Sequence, residues 1–145
     1  MSGQKIFCPT FMQTKRFLDA IHVVKQPKYI LLHCGTNDLE NPDFSEEKFE
    51  NDFIVVVSRL REVFPSARIT VSSLLPRDEM KFYCPLRNLN DFLAGCCSAG
   101  HNIVYMRNSN IKFSMLLDNK HINYEGFKIL LANIRFTVFR KIPYR

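Results

Sequence analysis

Apolar residues along the chain fall into two alternating patterns, which are short unbroken runs and longer stretches with helical spacing. Short unbroken runs are typical of strands in a parallel sheet that is covered on both faces. Stretches whose apolar residues recur every three or four positions are typical of amphipathic helices. Because strands joined through helices run parallel with right-handed crossovers, the alternation predicts an α/β fold, a three-layer α/β/α sandwich with a parallel sheet.

The runs, together with residues 68–72 that follow the Pro65-Ser66 break, predict four strands, which are residues 6–8, 29–33, 68–72 and 102–106. The first ends at Pro9 and forms a βαβ unit with the second through an intervening helix. The second organises the chain, because it ends in a glycine and a polar triplet. In parallel sheets, ligands sit beyond the carboxyl ends of the strands, so chemistry is expected at this point.

Helical spacing predicts four helices, which are residues 12–25, 45–64, 86–100 and a last helix that follows Asn123. Ser45 and Asn123 are good N-caps, because their side-chain oxygens accept the free N–H groups of a first helical turn. The residues of the last helix that are predicted to face inward are Phe127, Leu130, Leu131, Ile134 and Val138.

The composition fits an ordinary soluble domain, since 46% of the 145 residues are hydrophobic and 23% are charged. We therefore expect a single domain over residues 1–145. No apolar stretch is long enough to span a bilayer and no signal sequence is recognisable, so an intracellular, cytoplasmic location is expected. The five cysteines lack the spacing of metal ligands and are interpreted as small buried side chains.

The formal net charge of +6 indicates that the chain can attract a polyanion such as nucleic acid. Basic residues crowd its C-terminal part: Lys120, Lys128, Arg135, Arg140, Lys141 and Arg145. A solvated helix face explains the same residues, so both interpretations stand.

Two polar clusters are candidates for chemistry, Gly35-Thr36-Asn37-Asp38 and Asp118-x-x-His121. Both follow predicted strands, so we expect them to meet at the carboxyl side of the sheet. Asp118 can hold the His121 imidazole in one tautomer and leave its other nitrogen as a base. The Asn37 amide and the Gly35 N–H can donate to an oxyanion. Taken alone, the same residues also fit an ordinary turn and a helix cap.

In this order and context, the two clusters resemble the SGNH hydrolases, also called GDSL-type esterases. Gly35-Thr36-Asn37-Asp38 is similar to the family's third block, which implies oxyanion-hole roles for Gly35 and Asn37. Asp118-x-x-His121 is similar to the fifth block, which implies that His121 is the general base and Asp118 its orienting partner. Residues 69–77 and 121–126 are also similar to this family. Within the family, residues 32–38 most resemble esterase-like domains that accompany vertebrate retrotransposon open reading frame 1 proteins.

One family feature is missing, because the sequence contains no Gly-Asp-Ser, the segment that carries the family's nucleophile. Ser72 and Ser73 follow a different strand and are interpreted as ordinary strand-end residues. The second block's glycine, expected near Pro9-Thr10-Phe11, is also absent. The resemblance therefore implies a flavodoxin-like SGNH fold that is shortened at its N-terminus, with its first strand missing and no nucleophile.

This departure leads to two functional hypotheses. The first is an esterase-like domain that is inactive as it stands, with a small acyl ester as substrate if it is active and no metal or organic cofactor. The alternative is a non-catalytic accessory or nucleic-acid-associated module of a retroelement-derived protein. The missing strand would leave the strand over residues 29–33 with an unpaired edge. Three explanations stay open: the strand over residues 6–8 pairs there instead, self-association through the edge fills the gap, or the sequence is an incomplete copy of a longer protein.

Overall fold

A computed structural model describes residues 4–139, which form two compact units. The helical unit comprises the residues up to Lys25 together with Cys34–Pro65, and the sheet unit comprises Gln26–His33 together with the residues from Ser66 onward. The helical unit contains helices α1 (Phe11–Ala20) and α2 (Glu46–Val63). The sheet unit contains the strands β1 (Tyr29–Leu32), β2 (Arg68–Ser72) and β3 (Ile103–Met106), and the helices α3 (Tyr83–Ala99) and α4 (Tyr124–Val138).

The three strands form a parallel sheet in the order β1-β2-β3, which confirms the predicted α/β class. The register pairs Ile30 with Ile69 and Ile69 with Ile103. The central strand is fully covered, since Ile69 is 0% exposed. Helix α3 packs against β3, and α4 packs against β3 and β1. A parallel sheet of this kind needs helices on its faces, because most of its strand residues are apolar and half-buried or buried.

The helical unit is built on the aromatic packing of α1 against α2. The Phe11 ring meets the rings of Phe49 and Phe53 edge to face, with centroids 4.9 and 5.9 Å apart. All three side chains are buried. Thr10 caps α1 by accepting the Gln13 N–H, and Ser45 caps α2 by accepting the Lys48 N–H, as predicted for Ser45.

The first predicted strand is absent, since residues 4–9 form neither helix nor strand. Ile6 and Phe7 are 42% and 80% exposed, so this short apolar run is not covered. Pro9 lacks the N–H that a ladder needs, and Thr10 starts α1 directly after it. The predicted βαβ unit at residues 6–33 is therefore wrong, and so is the expected pairing of residues 6–8 with β1. Among residues 4–139, β1 pairs with β2 alone.

Two helix boundaries differ from prediction. Helix α1 ends at Ala20 instead of residue 25, and Val24 is 93% exposed. The β-branched residues that follow Ala20 have low helix propensity. Helix α3 begins at Tyr83, earlier than predicted, with Pro85 in its first turn. A proline is tolerated there because N–H groups of the first turn have no partner within the helix.

The inward face predicted for α4 is only partly correct. Val138 is buried, whereas Phe127 and Leu131 are 48% and 45% exposed. Asn123 does cap this helix, and its Oδ1 accepts the Gly126 N–H at 2.9 Å. Three of the basic residues singled out in the sequence, Arg140, Lys141 and Arg145, lie outside the described residues. No helix within residues 4–139 combines the length and the apolar character that crossing a bilayer requires.

Candidate functional site

Asp118 and His121 lie in a tight turn between β3 and α4. The turn is closed by backbone hydrogen bonds, because the Leu117 N–H donates to the His121 carbonyl at 2.7 Å. Next to this bond, the Asn123 N–H donates to the Met115 carbonyl at 2.6 Å. The two ends of the turn are therefore held together, and the two side chains project from a fixed base.

The Asp118 carboxylate contacts the His121 ring and the backbone of the turn. Its Oδ2 accepts a hydrogen bond from His121 Nδ1 at 2.7 Å, and its Oδ1 accepts the N–H groups of Lys120 and His121, both at 2.8 Å. The hydrogen bond from His121, followed by the two backbone bonds, holds the pKa of Asp118 well below its ordinary value. An ionised carboxylate at Nδ1 keeps the proton on that nitrogen. Nε2 is then the nitrogen that can act as a base.

The segment after β2 supports this turn, which the sequence did not indicate. The Asp78 N–H donates to the Asn119 carbonyl at 3.0 Å, in the middle of the turn. The preceding Arg77 is 2% exposed, and its guanidinium donates to Glu79 at 2.9 Å and lies 4.5 Å from the centre of the Phe82 ring. A buried, paired arginine therefore fixes the backbone that holds the Asp118–His121 turn.

Gly35 and Asn37, the predicted oxyanion-hole residues, follow β1. Gly35 is buried and has φ 119°, a value that favours glycine because a Cβ would be strained there. Its carbonyl accepts the Asp38 N–H at 3.1 Å. Asn37 is exposed and opens a short 3-10 turn, Asn37–Glu40. The glycine thus allows the reversal that presents the Asn37 amide to solvent.

Asp38, the last residue of the same block, has a structural contact. Its Oδ2 accepts the Phe11 N–H at 3.3 Å, at the start of α1. Burial raises the pKa of Asp38 to about 6, although the Phe11 hydrogen bond opposes this rise. The contact agrees with the interpretation of this residue as part of an ordinary turn and cap.

The two halves of the predicted site lie in different units. Gly35 and Asn37 belong to the helical unit, whereas Asp118 and His121 belong to the sheet unit. The structure brings Asp118 and His121 together. That Asn37 meets His121 stays a prediction.

A polar network at the carboxyl ends of the strands was missed; His33 is exposed, and the serines and Asn108 are buried. His33 Nδ1 and the Ser72 hydroxyl are hydrogen-bonded at 2.8 Å, and Asn108 Nδ2 donates to the same hydroxyl at 2.8 Å. Asn108 Nδ2 also reaches the Ser73 carbonyl at 3.0 Å, and Asn133 Nδ2 donates to Asn108 Oδ1 at 3.0 Å. Ser72 and Ser73 are 2% and 5% exposed. These hydrogen bonds connect the ends of all three strands. In the sequence, the feature that could have indicated the network is a polar residue at or after the end of each strand.

The cysteines are free thiols. Burial raises the pKa of the Cys34 and Cys97 thiols to about 12, so both stay protonated and poorly reactive at neutral pH. Cys84 is exposed, so the prediction of buried side chains is wrong there. Among residues 4–139, no group of three or more His, Cys, Asp or Glu side chains is arranged to hold a metal ion.

The structure is an α/β fold with a hydrogen-bonded Asp118–His121 pair in the loop after β3. Solved esterases and lipases share this fold. A member of the lipolytic G-D-S-L family from Veillonella parvula superimposes with a TM-score of 0.73, at 15% identity, over 92% of this chain and 76% of that one. A GDSL-like lipase from Bacteroides thetaiotaomicron gives 0.69 at 17% identity, over 87% and 69% of the two chains. A family 3 carbohydrate esterase from Talaromyces cellulolyticus gives 0.66 at 16% identity, over 74% and 55%.

The chain therefore has the fold of the SGNH (GDSL-type) hydrolases. In sequence, it is 38% identical over 53 residues to the platelet-activating factor acetylhydrolase IB subunit beta homolog of Drosophila melanogaster. The match covers 37% of this chain and 22% of that protein, so it spans about a fifth of the curated relative. No family model matches the chain.

Proposed function

We propose that this chain is an SGNH-type acyl-hydrolase domain with a retained base and an absent nucleophile. His121 is the base, Asp118 orients it, and Asn37 with the Gly35 N–H serves as the oxyanion hole. The observation that carries the proposal is the 2.7 Å hydrogen bond between His121 Nδ1 and an ionised Asp118. No Gly-Asp-Ser occurs in the 145 residues, so the domain is expected to be inactive as an esterase.

The ancestral reaction is ester hydrolysis through an acyl-enzyme. A serine attacks the acyl carbon, His121 Nε2 takes its proton and returns it to the leaving alcohol, and Asp118 stabilises the imidazolium. Asn37 and the Gly35 N–H donate to the oxyanion. Without the serine no acyl-enzyme forms, and direct deprotonation of a water by His121 Nε2 is too slow to be measured above the background of a His121→Ala variant. Loss of a triad nucleophile costs about a millionfold in turnover, so the remaining activity is small.

Support for an acyl ester as substrate comes from the proteins that the chain resembles in fold or in sequence. Their names describe a lipase, a carbohydrate esterase and an acetylhydrolase homolog. All three names describe hydrolysis of an ester or acetyl group. We extend that reaction class to this chain because it has the same fold. The link to retrotransposon-associated esterase domains is part of the same proposal.

The experiment measures hydrolysis of p-nitrophenyl acetate by the chain, His121→Ala and the control His22→Ala, which changes an exposed histidine of the helical unit. We expect the chain to turn over ester no faster than His121→Ala, and a fluorophosphonate probe to label no serine. Rapid hydrolysis that His121→Ala abolishes and His22→Ala preserves would reveal a nucleophile and contradict the proposed inactivity.

The proposed arrangement of the base has its own readout, which does not need activity. Nitrogen-15 NMR of His121 should show a protonated Nδ1 and an unprotonated Nε2 at pH 8. A ring protonated on Nε2 would contradict the proposed roles of Asp118 and His121, because Nε2 would then have no lone pair to accept a proton.

A second candidate is a non-catalytic module that associates with nucleic acid, favoured by the formal charge of +6. Arg135 is exposed on α4, and Lys128 pairs only at the surface with Glu125, at 3.4 Å. Binding of single-stranded RNA should then weaken steeply between low and physiological salt. Absence of binding at low salt would exclude this candidate.

A further inference from the structure

A pocket of about 400 Å³ lies in the sheet unit between α3 and the segments that follow β2 and β3. Residues 73–76 form one side, α3 forms the second, and residues 105–113 form the third. Neither Asp118 nor His121 lines it. Its volume is within the range of small-molecule sites, which is about 300–1,000 Å³.

The walls of this α3 pocket are held by buried or half-buried amides. Asn90 Oδ1 accepts the Leu74 N–H at 2.8 Å, and Asn90 Nδ2 donates to the Leu74 carbonyl at 3.3 Å. On the opposite side, the Asn108 N–H donates to the Ser73 hydroxyl at 3.0 Å. Both walls are therefore fixed to the same segment after β2. A pocket that is formed before binding avoids the entropy cost of ordering its walls.

Two arginines line this pocket. Arg87 comes from α3 and Arg107 from the segment after β3, and both are exposed. Neither forms a salt bridge with a carboxylate in the part of the chain that the structure describes. Asp91 also lines the pocket, so its ionised side chains sum to one positive charge. Guanidinium groups match the oxygens of phosphate in geometry and charge.

The mouth of the pocket is aromatic. The rings of Tyr83 and Phe113 lie 5.5 Å apart and 30° from parallel, and the two residues are 42% and 49% exposed. Deeper in the pocket, Tyr105 is half-buried, and burial raises the pKa of its phenol. The phenol is also hydrogen-bonded to the Ser73 side chain, which holds this ring in the pocket wall. Exposed ring faces of this kind stack on planar groups such as nucleobases.

We propose that the α3 pocket binds a planar aromatic group that carries a phosphate, with the size and chemistry of a nucleoside monophosphate. Tyr83 and Phe113 stack on the ring, and Arg87 and Arg107 hold the phosphate. Rings and cations are both needed to recognise such a ligand, and α3 and residues 105–113 each supply one of the two rings and one of the two cations. The assignment does not depend on an active Asp118–His121 pair.

The experiment titrates the 145-residue chain with AMP and records calorimetry and amide NMR shifts. We expect saturable binding with shifts centred on Leu74 and Ser109. Adenosine, which lacks the phosphate, and ribose 5-phosphate, which lacks the base, should each bind at least about tenfold more weakly, a difference of about 1.4 kcal/mol.

Substitutions locate the site. Arg87→Gln and Phe113→Ala should each weaken AMP binding about tenfold. The matched controls are Arg135→Gln, an exposed arginine of α4, and Phe136→Ala, whose residue is 50% exposed against 49% for Phe113. All four residues are exposed, so the variants should fold, which circular dichroism verifies.

Three outcomes would overturn the proposal. The first is an absence of saturable binding up to ~1 mM AMP. The second is an equal loss of AMP affinity in the pocket variants and in the controls. The third is binding of single-stranded RNA without any binding of AMP. Failure of AMP to bind would leave the ester-hydrolysis and NMR results for His121 unaffected, so the two proposals fail independently.

Discussion

Replacing Asp38 with asparagine is expected to stabilise the protein at neutral pH, although the residue belongs to the candidate oxyanion segment. Burial raises the pKa of Asp38 to about 6 from an ordinary 3.8. The Phe11 N–H that Asp38 accepts lowers this pKa, and the nearby Asp52 charge raises it further. The ionised carboxylate is therefore less favourable in the folded chain than in the unfolded chain.

The sign and size of the effect follow from this difference. A carboxyl group with a higher pKa in the folded state contributes stability at low pH, and the contribution is lost as pH rises through the folded value. The difference between about 6 and 3.8 corresponds to about 3 kcal/mol between full protonation and full ionisation. Roughly half of that loss falls between pH 5 and pH 7.5. Asparagine keeps an oxygen for the Phe11 N–H and carries no charge to desolvate.

Urea unfolding of the wild type and Asp38→Asn at both pH values measures the effect. The variant should be more stable by about 3 kcal/mol at pH 7.5 and by about 1.5 kcal/mol at pH 5. Asp43→Asn is the matched control, because Asp43 is an exposed carboxylate of the same unit, and it should change neither value. If Asp38→Asn changed the free energy of unfolding by the same amount at both pH values, the reasoning would be refuted. A variant less stable than wild type at pH 7.5 would refute it as well.

Three further substitutions test single features. Gly35→Ala should lower the free energy of unfolding by about 1–2 kcal/mol, measured by urea titration, because its φ of 119° strains a residue with a Cβ. Asn108→Ala should lower it by about 2–4 kcal/mol, since it removes the hydrogen bonds that the buried Asn108 amide donates to the Ser72 hydroxyl and the Ser73 carbonyl; a loss under about 0.5 kcal/mol would contradict the network. Asp118→Asn should mix the two His121 tautomers in nitrogen-15 NMR, and an unchanged spectrum would show that the carboxylate does not hold the ring.

Contacts between residues close in sequence were predictable. Asp118 and His121 are three residues apart at a helix entry, so backbone geometry alone places a carboxylate beside an imidazole. The caps at Ser45 and Asn123 follow the same logic, because an N-cap acts on an N–H group three residues later. Each of these predictions needed only local spacing and a polar side chain of the right length.

Element boundaries were less predictable where apolar residues lacked a partner to cover them. Residues 6–8 have the composition of a strand, yet a strand is stable only beside another strand, and no strand within residues 4–139 pairs with them. In α4, helical spacing placed Phe127 and Leu131 with the core, but both remain nearly half exposed. Periodicity tells which residues share a face, and it does not tell how much of that face is covered.

The His33–Ser72–Asn108 network shows that the strand register determines which polar residues meet. Parallel pairing sets Leu32 opposite Val71, so the next residues, His33 and Ser72, must lie side by side at the sheet's edge. The same sheet sets Ser72 opposite Met106, two residues before Asn108, which brings the Asn108 amide over the serine. A shift of one residue in either pairing would turn these side chains to the other face. The polar residues after each strand are visible in the sequence, but their partners depend on a register that only the folded sheet defines.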